Sequence, residues 1–445
     1  MAKREKKAEG EEESALTPDP SVPKAASAAS GDASASAVPD AKGGSRQSEM
    51  EVFTAAEASI TKLVDYIIKQ AFLMHASDIH IEPTETETEI RFRIDGILST
   101  IYVLPKSLLN QVITTIKVHS GLRTDEHQAA QDGRFRVIID KVPVDLRVSI
   151  APTYHGENAV LRLLVSQLKA LTLDQLGFSD RDKALIERYI SRPHGMILAT
   201  GPTGSGKTTT LYTMVQMLNK PDISIATIED PIEYSIGGIT QIQVSAGTGI
   251  TFANGLRSLL RQDPNIIMVG EIRDNETASI AVNAALTGHL LLSTLHTNDA
   301  STTLPRLLDM GIEPYLVAST VNIAIGQRLV RKLCPDCTVE YIMTDAEKQR
   351  LQAVISERAW NDTKKFFVGK GCRACVNTGY RSRVGIYEVL EVRGEIRDLI
   401  VSKASSDAIS SAAIRLGMTT MLEDGFAKAG RGITSVAEVL RVIQE

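Results

Sequence analysis

The stretch GMILATGPTGSGKTTTLYTMVQMLN, Gly195 to Asn219, holds three pieces in a fixed order. Met196 to Ala199 is a short apolar run of the kind that forms a buried strand. Gly201-Pro202-Thr203-Gly204-Ser205-Gly206-Lys207-Thr208 fits G-x-x-x-x-G-K-[ST], and Leu211, Met214, Val215 and Leu218 then recur at helical spacing. Strand, glycine loop and helix are the order that a phosphate-binding loop needs. Glycines let backbone N–H groups curl around phosphate oxygens, and the helix N-terminus adds a favourable dipole. The pattern assigns Lys207 to the β- and γ-phosphates and the Thr208 hydroxyl to Mg²⁺. A Gly-rich turn can match the bare motif by chance; the strand before it and the helix after it make the difference.

The 445 residues are enough for two or three domains with real cores. A hydrophobic content of 43% with 23% charged residues fits a soluble globular protein. The formal net charge of −5 carries no global basic signature, so nucleic acid is not the expected partner. No run approaches the ~18 apolar residues of a membrane span. The basic residues between Lys3 and Lys7 are not followed by an apolar segment, so no secretory signal is read. The expectation is a cytoplasmic chain, where four cysteines suggest metal or redox chemistry rather than disulfides.

Residues 1–50 are rich in Ala, Ser, Pro, Lys and Glu and are expected to be disordered, as an inert tail or a tether. From 51 to 170 the pattern is a small α+β domain. It has a helical stripe at Ile60, Leu63, Val64, Ile67, Ile68 and Ala71, and period-two strands at 78–82, 89–94 and 97–104. An Asp95-Gly96 hairpin signal, a helix over 106–119, and strands at 134–139, 144–150 and 158–165 complete it. Residues 171–179 read as a linker. Residues 180–327 alternate strand candidates (196–199, 223–228, 266–269, 290–295) with helical patterns, which argues for a mostly parallel sheet with helices on both faces. The cysteines fall in 328–390, and short helices fill 391–445.

Hydrolysis needs acids beside the phosphates. Glu229-Asp230-Pro231-Ile232-Glu233 follows one predicted strand and Gly270-Glu271-Ile272-Arg273-Asp274 follows another. In open α/β sheets ligands sit beyond the carboxyl ends of strands, so both groups should converge on the glycine loop. One would hold Mg²⁺ and the other would orient the attacking water, with Asp274 read as a helix cap. His289 and His296 flank the last core strand and, standing at its two ends, need separate roles. Cys334-Pro-Asp-Cys337 and Cys372-Arg-Ala-Cys375 use every cysteine in two C-x-x-C pairs, which suit a closed structural zinc site; a redox dithiol needs only one pair. The long gap between the pairs requires an insert, which Leu351 to Trp360 could supply as a helix. Arg91 and Arg93 share a strand face with no interleaved acid, which reads as an anion-binding face or as a solvated one; Arg134, Arg147 and Arg162 add to it.

In these motifs, residues from about 55 to 445 resemble the type II/type IV secretion ATPase superfamily. The resemblance rests on Ser77-Asp78-Ile79-His80-Ile81-Glu82-Pro83, Arg91-Phe92-Arg93-Ile94-Asp95-Gly96, Gly201 to Tyr212, and Glu229 to Glu233. It also covers RQDPNIIMVGEIRD (Arg261 to Asp274), TGHLLLSTLHTNDA (Thr287 to Ala300) and the four cysteines. It implies a RecA-like ATPase core with a PAS-like α+β domain before it and a zinc module with helices after it. ATP, Mg²⁺ and a structural Zn²⁺ would be its cofactors, in a homo-hexamer driving pilin or pseudopilin assembly through an inner-membrane platform protein. It further implies Glu229 as general base, Glu271 as the acid near Mg²⁺, and His289 as γ-phosphate sensor. Arg93, Arg147 and Arg162 would approach nucleotide from the small domain. Two departures stand out. Asn265 replaces the family's usual Asp, and the first N-terminal domain of many relatives has no counterpart, so control through a cyclic dinucleotide bound there is not expected. The rival readings are a DNA-translocating conjugation-type ATPase and a scaffold with a decayed site.

Overall fold

The computed structural model describes residues 59–165, 171–352, 355–356, 360 and 365–444, all within one unit that runs from Phe53 to Glu445. The expectation of disorder for residues 1–50 lies outside the described residues.

Period-two patterning builds the first sheet. Helix α1 (Ile60–Leu73) buries the stripe Leu63, Val64, Ile67, Ile68 and Ala71. Strands β1 (Ala76–Pro83), β2 (Glu87–Ile94) and β3 (Ile97–Pro105) follow, then helix α2 (Leu109–His119) and strands β4 (Gln131–Ile139), β5 (Val142–Thr153) and β6 (Gly156–Val165). They form one antiparallel sheet in the order β3-β2-β1-β6-β5-β4. Ile79, Ile81, Ile90, Phe92, Leu146, Val148 and Leu161 are buried on one face, and the arginines alternate with them on the other. The β2–β3 turn places Asp95 and Gly96 at φ 50° and 89°, the pair of positive φ values that a type I′ hairpin turn demands. The β4–β5 turn does the same with Asp140 and Lys141, at φ 48° and 69° and without a glycine. Residues 106–108 form a 3₁₀ turn, so the helix predicted from Lys106 starts at Leu109.

The stretch read as a linker is not slack. Helix α3 (Leu173–Leu176) is closed by a Thr172–Gln175 capping box and ends on Gly177 in the left-handed region. Leu173 and Phe178 are buried, and the Phe178 ring stacks on Tyr387 with centroids 3.7 Å apart.

After helix α4 (Asp180–Ile190) come β7 (Gly195–Thr200), α5 (Lys207–Leu218), β8 (Ile225–Glu229), β9 (Thr240–Gln243), α6 (Phe252–Leu260), β10 (Ile266–Val269), α7 (Asn275–Leu286) and β11 (Leu290–Leu295). Helices α8 (Thr303–Asp309) and α9 (Pro314–Thr320) then lead into β12 (Val321–Leu333). With β15 (Tyr380–Glu391), the second sheet has the order β15-β12-β7-β11-β10-β8-β9. Every pairing is parallel except that of β12 with its edge partner β15, Tyr380–Glu391. Along β7, Met196 and Leu198 join one core with Leu256, Leu291 and Leu304. Ile197 and Ala199 join the other, with Leu211, Val215 and Leu292. That double burial is why the strand reads as a continuous apolar run. β12 passes through position 327 without a break, so the boundary expected between Gln327 and Arg328 cuts a strand. Its apolar pattern is interrupted by Asn322, Gln327 and Arg328, yet all three are buried.

Between β12 and β15 lie the hairpin β13 (Thr338–Tyr341) and β14 (Phe366–Gly369) and helix α10 (Asp345–Gln352). Helix α10 overlaps only the first two residues of the helix expected over Leu351 to Trp360; Trp360 is itself helical, its N–H donating to the Ser356 carbonyl at 3.0 Å, and residues 353–354 and 357–359 are outside the described residues. Helices α11 (Glu395–Val401), α12 (Ser406–Arg415), α13 (Met421–Gly430) and α14 (Val436–Gln444) close the chain. Among the described residues no helix is long and apolar enough to cross a membrane.

Candidate active site

The parallel sheet turns the carboxyl ends of β7, β8, β10 and β11 to one edge, and most of the predicted site residues meet there. Thr200 ends β7, and the loop 201–206 leads into the first turn of α5 at Lys207. Gly201 adopts φ 144°; a Cβ there would run into the Gln327 carbonyl oxygen and stand 2.7 Å from Ser205 Oγ. Gly204 and Gly206, at φ 80° and 89°, complete the left-handed positions of the loop. Lys207 is 8% exposed, and its Nζ donates to the Gly201 and Pro202 carbonyls at 2.7 and 3.0 Å. Burial lowers its pKa from the ordinary lysine value, against the opposing charge of Glu271. Thr208 is exposed at the helix start. β12 supports the loop from the side, with Gln327 Nε2 donating to the Ser205 carbonyl at 2.8 Å.

The two acids have different surroundings. Glu271, just past β10, receives Arg273 Nη2 on Oε1 at 2.6 Å and faces His296 Nε2 across 3.1 Å on Oε2. Glu229, the last residue of β8, is 2% exposed. Its Oε1 accepts from Thr227 Oγ1 at 2.6 Å and Gln241 Nε2 at 3.1 Å, and its Oε2 accepts from the Tyr212 hydroxyl. Burial and the Glu229 charge raise the Tyr212 hydroxyl well above an ordinary tyrosine and push Tyr234 up to about 12. Tyr212 lies on the helix of the phosphate loop, so this bond ties that helix to the acidic strand end. Asp274 accepts from Thr277 N at 2.7 Å and caps α7, as expected of it.

The histidines part company. His289 precedes β11, with Nδ1 3.0 Å from the Ala284 carbonyl, while β11 and β7 run parallel with Leu290 beside Gly195 and Leu295 beside Thr200. At about 3.3 Å per residue, His289 stands about 20 Å from the loop end of the sheet. The expectation that it senses the γ-phosphate there is corrected by this strand direction. His296 occupies that end instead. Asn265, at the entry to β10, takes the Ser224 N–H on Oδ1 at 2.7 Å, also far from the loop.

The arginines of the small sheet are not free of acids, as their own strand suggested. Arg91 pairs with Glu82 at 2.8 Å, and Asp78 lies between Arg162 (2.9 Å) and Arg93 (3.5 Å). These acids come from the neighbouring strand, which same-strand alternation does not reveal. Arg147 reaches the other domain: its Nη2 donates to the Ile232 carbonyl at 2.9 Å, and Nη1 lies 3.9 Å from Glu233. Arg93 and Arg162 make their described contacts within their own sheet.

The cysteine cluster holds together. Cys334, Cys337, Cys372 and Cys375 place their sulfurs within 4.8 Å of one another, with Cys334–Cys372 at 3.8 Å and Cys337–Cys375 at 3.9 Å. A tetrahedral site with Zn–S bonds of about 2.3 Å puts sulfurs about 3.8 Å apart, so the donor set fits zinc. The N–H groups of Cys372 and Gly379 point at Cys375 Sγ from 3.1 and 3.2 Å, the outer-shell support a metal-bound thiolate uses.

Tyr212, Gln241, Gln327 and Arg273 also belong to this site, through their bonds to Glu229, Ser205 and Glu271. Tyr212 carried a signal, lying one helical turn beyond Thr208. Gln241 and Gln327 carried none, because each reaches the site only through sheet order.

A family model for type II/IV secretion system proteins matches residues 54–441. Over 398 residues the chain is 46% identical to the type IV pilus assembly ATPase PilB of Thermus thermophilus, covering 89% of this chain and 44% of that one. Over 391 residues it is 45% identical to the type II secretion system protein E of Xanthomonas campestris pv. campestris, covering 88% and 68%. The chain thus spans less than half the length of the Thermus relative and about two thirds of the Xanthomonas one. Among solved structures, the pilus retraction motor PilT with bound ADP superimposes with a TM-score of 0.57 at 27% identity, over 84% of this chain and 95% of that one. The relatives are pilus and secretion proteins, which does not favour the DNA-translocating reading. By its family match and by identity to these relatives, the chain belongs to the type II/IV secretion system protein family.

Proposed function

We propose that this chain is a Mg²⁺-dependent ATP hydrolase working as a hexameric motor on the cytoplasmic side of the inner membrane. It would drive pilin or pseudopilin assembly through a membrane platform protein. The observation that carries the reading is the convergence of Lys207, Glu229 and Glu271 at one sheet edge beside a glycine loop of the right conformation. Loop N–H groups and Lys207 bind the phosphates; Lys207 exchanges its two carbonyl partners for phosphoryl oxygens. Mg²⁺, when bound, would neutralise developing charge on the phosphates, and Thr208 and Glu271 would hold it. Glu229 orients the attacking water, which reaches this carboxylate by sharing or replacing one of its three donors. His296, within reach of Glu271, takes the phosphate-sensing role. Arg93, Arg147 and Arg162 add charge from the small domain and couple its movement to nucleotide. A zinc ion held by the four cysteines is structural.

The test is phosphate release and nucleotide affinity measured on Glu229→Gln and Glu271→Gln. Both are expected to keep ATP binding within about threefold and to lose turnover by about 100-fold or more. Near-normal hydrolysis in both would overturn the reading, and stimulation of hydrolysis by added DNA would point to a translocase instead.

A further inference from the structure

Sheet register lines up one row of charged side chains across the face opposite α1 and α2. Arg93 on β2 is paired with Asp78 on β1, Asp78 with Arg162 on β6, Arg162 with Arg147 on β5, and Arg147 with Arg134 on β4. Directly paired residues of an antiparallel ladder share a face, with strands about 4.8 Å apart, so four guanidinium groups and a single carboxylate span about 19 Å. Asp78 is that carboxylate. It is 5% exposed, on a face where the side chain of Arg162 is 62% exposed.

The way Asp78 holds its neighbours matters. Its Oδ1 accepts from Arg162 Nε at 2.9 Å; its Oδ2 accepts from Ser77 Oγ at 2.8 Å and stands 3.5 Å from Arg93 Nε. In both arginines the Nε edge faces the acid. A guanidinium has five N–H donors, so an Nε contact leaves the terminal amino groups available. Among the described residues those of Arg162 have no partner, while Arg93 donates one Nη1 bond to the Gly96 carbonyl at 3.2 Å. An arginine anchored by Nε presents a planar, aimed pair of donors to a phosphoryl group, whereas an unanchored one samples many rotamers. Burial works to raise the Asp78 carboxyl, but the bonds from Arg162 and Ser77 outweigh it and hold it below the ordinary aspartate value. The anchor is therefore charged wherever the motor works.

We propose that Asp78 is a positioning residue for hydrolysis: it fixes the Nε edges of Arg162 and Arg93 so that their terminal amino groups meet nucleotide phosphates together. This rests on the reading that those arginines act on nucleotide. Without the acid, adjacent like charges flank an empty place in the row, and the two side chains splay apart. Nucleotide capture by the phosphate loop does not involve Asp78, so the loss should appear in kcat and not in KM.

The experiment is steady-state ATP hydrolysis by the full chain carrying Asp78→Asn, Arg162→Ala, Arg93→Ala, and Asp78→Asn combined with both arginine changes. Asp78→Asn is expected to lower kcat about 10-fold while KM stays within about threefold, and to cause no further loss once both arginines are alanine. Losses that simply multiply would show a role independent of the arginines and overturn the proposal. So would an Asp78→Asn chain with unchanged kcat in the face of impaired Arg162→Ala. If both arginine variants turn over normally, the underlying reading of the arginines fails as well. Should Asp78→Asn not fold, Arg162→Lys decides: it keeps the charge but has no Nε edge to anchor. It is expected to be as impaired as Arg162→Ala, and full activity would overturn the proposal.

Discussion

At the scale of single residues, Glu229 shows how much of a site depends on neighbours from other elements. Its carboxylate is inside the protein and lives on three donors, one of them the Tyr212 hydroxyl. Tyr212→Phe keeps the ring and its edge-on contact with Tyr234, whose centroid is 4.6 Å away, but withdraws one donor from a buried charge. The expected cost is about 1–3 kcal/mol of stability, visible as a lower Tm in thermal unfolding. Gly201 is the second sensitive point. Gly201→Ala forces the loop away from the Gln327 carbonyl and Ser205; nucleotide affinity should fall by about 10-fold or more, while circular dichroism shows an unchanged fold. The glycine was legible from its motif. Its collision partner was not, since Gln327 is distant in sequence.

At the scale of elements, α14 is fastened by one buried acid. Glu438, 1% exposed, takes Arg331 N and Arg441 Nη2 on Oε1 at 3.1 and 2.8 Å, and Arg331 Nη2 and Arg441 Nε on Oε2 at 2.7 and 2.9 Å. Burial works to raise this carboxyl, but Arg441 and Arg331 outweigh it and hold it below the ordinary glutamate value. A folded value below the unfolded one means the contribution is complete above the unfolded pKa and is lost as pH falls through the folded one. The loss should therefore start below about pH 4. Glu438→Gln should cost about 3 kcal/mol near pH 7 and flatten this part of the acid-unfolding curve, as measured by denaturant titration at several pH values. Helix α14 itself was readable from its apolar spacing. Edge strand β15 is not legible in the sequence, because its alternation is broken by the run Val384 to Leu390, buried on both faces.

At the scale of the whole molecule, the cysteine cluster is joined to the parallel sheet by backbone. Cys334 directly follows β12 and its N–H donates to the Gly379 carbonyl at 3.0 Å, next to the start of β15. Metal analysis should find about one zinc per chain, and chelation should lower the unfolding temperature through this edge; a chain with no zinc and an unaltered melting curve would count against the metal. The amino-acid sequence by itself determined the elements whose signals are local: the phosphate loop with its strand and helix, the acids after two apolar runs, the Asp95-Gly96 turn, the C-x-x-C pairs. Glycine φ values, short apolar runs and ligand spacing act within a few residues, so they can be read in one dimension. Only the tertiary structure decided which end of β11 lies beside the glycine loop, and hence that His296 and not His289 stands there. It alone placed Asp78 between two arginines and carried β12 and β15 into the sheet of the glycine loop. Those outcomes follow from strand order, direction and cross-strand register, which are set by packing between segments far apart in the chain.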